Sequence, residues 1–180
     1  MRLNLIERKY LPEFVYGGID GAITTFAVVA GAIGASLGPG IVLILGFANL
    51  IADGFSMAVS NYFATKSQTE LHFRHKDYAT YKRIGRHPVK TALATFASFF
   101  LIGIIPLLSF LLSFLLPVMK ENQFSYAIGF TALALITVGL VRGEIVKKHP
   151  IRSAFETLII GGIAAALAFI VGYLLRGLTG

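Results

Sequence analysis

The sequence predicts an all-α membrane protein, with five spanning helices forming a single domain over residues 1–180. Three observations carry that reading. The chain is 56% hydrophobic and only 14% charged, whereas a soluble domain carries about a quarter charged residues; its mean hydropathy is +0.75. Five apolar runs are each long enough to cross a bilayer. The basic residues gather in segments that, on a count of five crossings, all fall on one side. Helices are expected rather than strands, because no alternating ten-residue pattern occurs and a spanning segment must satisfy its own backbone.

The first span runs from Phe14 to about Ser36, and SLGPG is a tight turn into the second, Ile41 to about Thr65. A basic connecting loop, 66–90, leads to the third, Thr91 to Leu116, with Pro106 inside it as an expected kink. LPVMKENQ is a short loop before the fourth span, Phe124 to Val141, and the fifth is Ser153 to Leu175. Lys and Arg cluster at Arg2–Lys9, at Lys66–Lys90 and at Arg142–Arg152; fourteen of the sixteen fall there, leaving Lys120 and Arg176. The positive-inside rule then puts the N-terminus in the cytoplasm and the C-terminus outside. A net charge of +7 so placed reads as solvated loops near anionic headgroups, not as a nucleic-acid surface. With no Cys, disulfides and thiolate metal sites are excluded. MRLNLIERKYLPE lacks the apolar core of a cleavable signal peptide.

HPVKTALAT (His87–Thr95) resembles HPIRSAFET (His149–Thr157). Both open a span leaving from the basic side, with Pro in the first turn and a basic residue beside it. Spans three and five therefore read as parallel repeats, or as two uses of one helix-start solution.

The chemistry sits in span two, GFANLIADGFSMAVSNYFATKSQTE. Asn49, Asp53, Met57 and Asn61 recur every four residues, with Ser56 and Ser60 beside them. Such residues share one helix face and here make a polar stripe rising about 18 Å. Asp20 is the second carboxylate within a span. Each costs about 2.5–3.5 kcal/mol to insert, which ordinary packing does not offset, so intramembrane carboxylates read as functional. If the hydrocarbon begins near Phe14 and ends near Thr65, Asp20 and Met57 share a level at about 9–12 Å, with Asp53 a turn deeper at about 18 Å. Carboxylate and amide oxygens with one thioether suit Fe²⁺ or Mn²⁺ as a transported ion, with no resident cofactor. Carboxylates that titrate also allow proton exchange with metal.

Blander readings stand beside these. Met57 alone is core filler. Asn49 and Asn61 serve equally as hydrogen-bond ties between helices. Thr24 and Thr25 bond to their own helix, although Thr24 also lies beside the ion path. Gly17, Gly18, Gly21, Gly31 and Gly34 give span one a small-residue face for close packing, within the subunit or at a dimer contact. Glu13, Glu70, Asp77, Glu144 and Glu156 lie at the inner rim. Glu156 shuttles ions or reaches Arg152 four residues back. Glu70, His72, His75 and Asp77 form either a weak capture site for metal or a solvated loop.

YGGIDGAITTFAVVAGAIGA, a Gly-Pro turn and ANLIADGFSMAVSNYFATKSQTE together resemble the vacuolar iron transporter family. HPVKTALATFASFFLIGIIPLL and RSAFETLIIGGIAAALAFIVGYLL resemble its third and fifth spans. The resemblance implies a five-helix subunit and a homodimer with the ion path at its interface. It also implies Fe²⁺ or Mn²⁺ moved out of the cytosol in exchange for protons, with Asp20 and Met57 as path residues. Two features depart from the family pattern: no large glutamate-rich domain fits between spans two and three, and Asn61 stands where many members have glutamate. The expected location is the plasma membrane of a prokaryote. Two other classes compete, a membrane metal sensor or scaffold that does not transport, and an intramembrane aspartyl hydrolase built on Asp20-Gly21 and Asp53-Gly54.

Overall fold

The computed structural model describes residues 5–74 and 86–178. It is all-helical: α1 (Leu5–Gly34), α2 (Pro39–Arg74), α3 (Pro88–Gly103), α4 (Leu108–Leu112), α5 (Gln123–Ile145) and α6 (Pro150–Leu175). A 3₁₀ turn, Ile105–Leu107, joins α3 to α4, so the third span is one broken helix with its break at Pro106, as its ring requires. Among the described residues, five helical segments are long and apolar enough to cross a membrane: Tyr10–Gly34, Pro39–Leu71, Pro88–Leu112, Gln123–Ile145 and Pro150–Leu178.

The turns follow from local chemistry. After α1, Ser36 takes a left-handed conformation (φ 59°), the Leu37 amide donates to Ala32 O, and the Ser36 amide donates to Ile33 O. These two bonds satisfy carbonyls that the helix end leaves open. The same device ends α5: Lys147 is left-handed (φ 55°) and Lys148 donates to Gly143 O. His87 and His149 are both extended, each with Pro starting the next helix. At the end of each copy of the repeat, Thr95 donates back to Thr91 O and Thr157 to Ser153 O. The repeated segments thus share their helix-start geometry.

Helix α2 extends further than its apolar run. Residues 66–74 continue it as helix instead of opening the connecting loop, because TKSQTELHFR contains neither Gly nor Pro and favours helix once past the lipid. His75 and Asp77 lie outside the described residues.

Helix α1 is the packing centre. Its small face receives α3 along the first half and α6 along the second: a Cβ on Gly21 would overlap the Phe99 carbonyl oxygen, and one on Gly34 the Phe169 carbonyl oxygen. The glycines therefore serve contacts within the subunit. Around them Phe26, Val29, Leu50, Phe99, Leu107 and Phe110 form the core, and Phe26 stacks on Phe124 with ring centroids 6.2 Å apart.

Candidate functional site

Two outward faces of this bundle differ in kind. The exposed stripe of α6 is Ile151, Phe155, Ile159, Ile163, Leu167 and Leu174, which is what lipid contact demands. Helix α2 also turns a face outward, but there Asp53, Ser56 and Ser60 are exposed among Ile51, Phe55 and Phe63. A carboxylate and two hydroxyls on a spanning helix are costly against acyl chains and ordinary against water, protein or a cation.

A polar stripe of α1 lies beside that face. Glu13, Tyr16, Asp20 and Thr24 follow one another at three- and four-residue steps, so they share a side of the helix. At one end Asn49 Nδ2 donates to Thr24 Oγ1 and Thr25 Oγ1, each at 3.4 Å. At the other, Pro12, Glu13 and Tyr16 face Ser56, Met57, Ser60, Asn61 and Ala64 across an open groove of about 410 Å³. Antiparallel helices in this register bring Asp20 level with Asp53. Met57 lies one turn away, beside Tyr16.

This register corrects the depth expectation, which set Asp20 level with Met57. That estimate ended the second helix's lipid passage near Thr65, and α2 in fact runs on as helix to Arg74, so the assumed boundary gave no fixed origin. Asp20 and Met57 are both partly buried.

Of the remaining candidates, some are engaged elsewhere. Asn61 borders the groove, but Asn61 Nδ2 donates to Thr95 Oγ1 at 2.6 Å and Thr65 Oγ1 donates to Asn61 Oδ1 at 3.3 Å. Thr65 and Thr91 hydroxyls complete this chain at 3.1 Å. The amide thereby ties α2 to α3. Thr24 donates to Asp20 O at 2.8 Å while accepting from Asn49, so it too is committed. Glu156 is on α6, away from the groove, with Arg152 Nε 3.3 Å from its Oε1. Glu70 is exposed, with Lys66 Nζ at 4.0 Å.

Glu13 was named from sequence only as a rim acid. The structure buries it to 3% exposure and sets it on the groove with Met57. A spacing of seven from Asp20 places both on one helix face, and that is the signal which could have found it. Among the described residues, no three of His, Cys, Asp or Glu gather into a metal cluster. One subunit therefore presents a wall of donors, not a closed cage.

Comparison with known proteins gives this wall a context. A sequence profile of the VIT family matches residues 11–79 and 71–173. The "Vacuolar iron transporter" of Plasmodium berghei (strain Anka) is 25% identical, the match covering 97% of this chain and 85% of that protein. The "Vacuolar iron transporter 1" of Arabidopsis thaliana is 26% identical over 87% of this chain and 82% of its own length. The Toxoplasma gondii (strain ATCC 50861 / VEG) protein named "Vacuolar iron transporter" is 25% identical, covering 95% and 76%.

Proposed function

The chain belongs to the VIT family, and from that premise we propose that it carries Fe²⁺ or Mn²⁺ out of the cytosol, in exchange for protons, along the α1–α2 stripe. The single observation that supports this most is the exposed Asp53, level with Asp20, on a helix face otherwise suited to lipid. Two carboxylates lower the cost of a partly dehydrated dication, and Met57 adds a thioether one turn nearer the mouth. As the metal passes on, each carboxylate can take a proton, which gives exchange a chemical route.

We further propose a homodimer whose second copy covers this face. One subunit leaves Asp53, Ser56 and Ser60 outward; a twofold-related copy would turn two donor walls toward each other and remove them from acyl chains. The basic clusters support a cytoplasmic N-terminus, with the groove mouth on the cytoplasmic side and the C-terminus outside. The proposed location is the plasma membrane of a prokaryote; the relatives above are eukaryotic proteins with "vacuolar" in their names, and that location is not carried over.

The test is flux into liposomes loaded with a metal-quenched dye. The reconstituted protein should admit Fe²⁺ or Mn²⁺ faster than protein-free vesicles, Lys120→Ala should match the wild type, and a pH dye should report protons leaving as metal enters. Metal entry no faster than in empty vesicles contradicts transport and leaves the sensor reading; metal flux without proton movement means uniport. One observation favours the hydrolase reading, because level carboxylates can share a proton and activate water. Cleavage of an added transmembrane peptide, lost in Asp53→Asn, would sustain it.

A further inference from the structure

Glu13 is held in an unbalanced way. Arg86 Nη1 donates to Glu13 Oε1 at 2.9 Å, while Oε2 is buried with no hydrogen-bond partner among the described residues. Buried carboxylate oxygens are ordinarily satisfied, and an orphan marks either strain or a missing ligand. This orphan belongs to a residue that borders the groove beside Met57 and Asn61.

Arg86 is placed to let go. Its side chain is 32% exposed, and it precedes His87-Pro88, whose extended-then-helical start fixes the backbone of α3 independently of the guanidinium. The long side chain can exchange the carboxylate for water or headgroups without moving a helix. A buried acid with one unsatisfied oxygen and a removable counter-charge is a point at which a second cation competes.

We propose that Arg86 is a tethered cation at the mouth of the groove, occupying Glu13 between transport events and setting the concentration at which a divalent metal displaces it. Arg86 is a positioning residue here, acting through Glu13, and the proposal rests on the transporter reading. A purely structural brace between α1 and α3 would use the same contact, so the test must separate charge from bracing.

The chain has no cysteine, so Arg86→Cys introduces a single thiol that can be modified in detergent before reconstitution. Initial rates of Mn²⁺ uptake are measured against Mn²⁺ concentration. Arg86→Cys should lower the half-saturating concentration by about fivefold or more, the size of a typical coupling between two competing interactions. A positively charged methanethiosulfonate should return it toward the wild-type value, and a negatively charged one should not. With Glu13→Gln as the background, Arg86→Cys should no longer lower it. If Arg86→Cys fails to reach the membrane, Arg86→Lys decides: it should shift half-saturation downward, because a point charge cannot reproduce the guanidinium hydrogen bonds. Unchanged or raised half-saturation, or equal effects of the two reagents, overturns the proposal. A wild type that moves no Mn²⁺ defeats the transporter reading instead, whereas a transporting wild type insensitive to position 86 defeats this inference alone.

Discussion

Asp20→Ala and Asp53→Ala should each slow metal entry into liposomes by at least about 30-fold. Two unit charges about 4 Å apart, at an effective dielectric near 20, interact by about 4 kcal/mol, which for a dication is a lower bound. Even half of that, felt at the highest point along the path, is a factor of about 30 in rate. The register of α1 on α2 sets the two carboxylates level, so they act on the same stretch of the ion's path. Removing either one halves the negative charge that each subunit offers a dication at that level, and the loss should not be rescued by its neighbour. Met57→Ala removes only a neutral, soft donor, and the expected slowing is smaller, about 3- to 10-fold. Because Met57 also packs on the core, Met57→Leu is the better variant: it keeps the volume and deletes the sulfur. Initial Mn²⁺ rates on protein that elutes as a single species check this. Wild-type flux in Asp20→Ala would remove the site.

Gly21→Ala should be strongly destabilising for a single-methyl substitution in the first span. A Cβ there would overlap the Phe99 carbonyl oxygen, with Phe99 C and Cα each at 3.0 Å. These are backbone atoms of a helix and have no rotamer in which to retreat, so α1 and α3 must separate. That separation opens the core at Phe99, which is fully buried. Overpacking of this kind costs about 1–3 kcal/mol and falls at the high end against rigid backbone. Gly161 and Gly162 provide an internal contrast: a Cβ on Gly161 meets Leu135 Cδ1 at 2.5 Å, while one on Gly162 meets nothing within 4 Å. Gly162→Ala should be neutral or stabilise by about 0.5–1 kcal/mol through reduced backbone freedom. The midpoint for loss of the single-species elution peak on heating orders the variants: Gly21→Ala lowest, Gly162→Ala at or above wild type.

The elements were legible because lipid imposes length and composition on a sequence more strictly than water does. Five apolar runs, Pro106 and the two His-Pro starts each follow from one local rule, and each recurs in the structure. The stripe Asn49–Asp53–Met57 was readable from a spacing of four on one helix. What could not be read is how two helices slide past each other. That register is fixed by Asn49 reaching Thr24 and Thr25, contacts between residues 24 and 25 positions apart. The Glu13–Arg86 pair spans 73 positions and was hidden for the same reason. The glycine face was visible, but its partners were not: nothing local says that Gly21 meets Phe99 or that Gly34 meets Phe169. Asn61 was legible as two alternatives, tie or ion path; its amide bonds Thr95 and Thr65 while the residue still borders the groove.

Water access to the α2 face is the most direct question to put to the protein, and a chain without cysteine allows it to be asked one position at a time. Ser56→Cys and Ser60→Cys, in native membranes, should react with a membrane-impermeant thiol reagent, and Mn²⁺ should slow that reaction. Ile163→Cys, on the apolar face of α6, should stay unlabelled with or without metal. If Ser56→Cys and Ser60→Cys prove as inert as Ile163→Cys, the stripe is closed to water and the ion path proposed here does not exist.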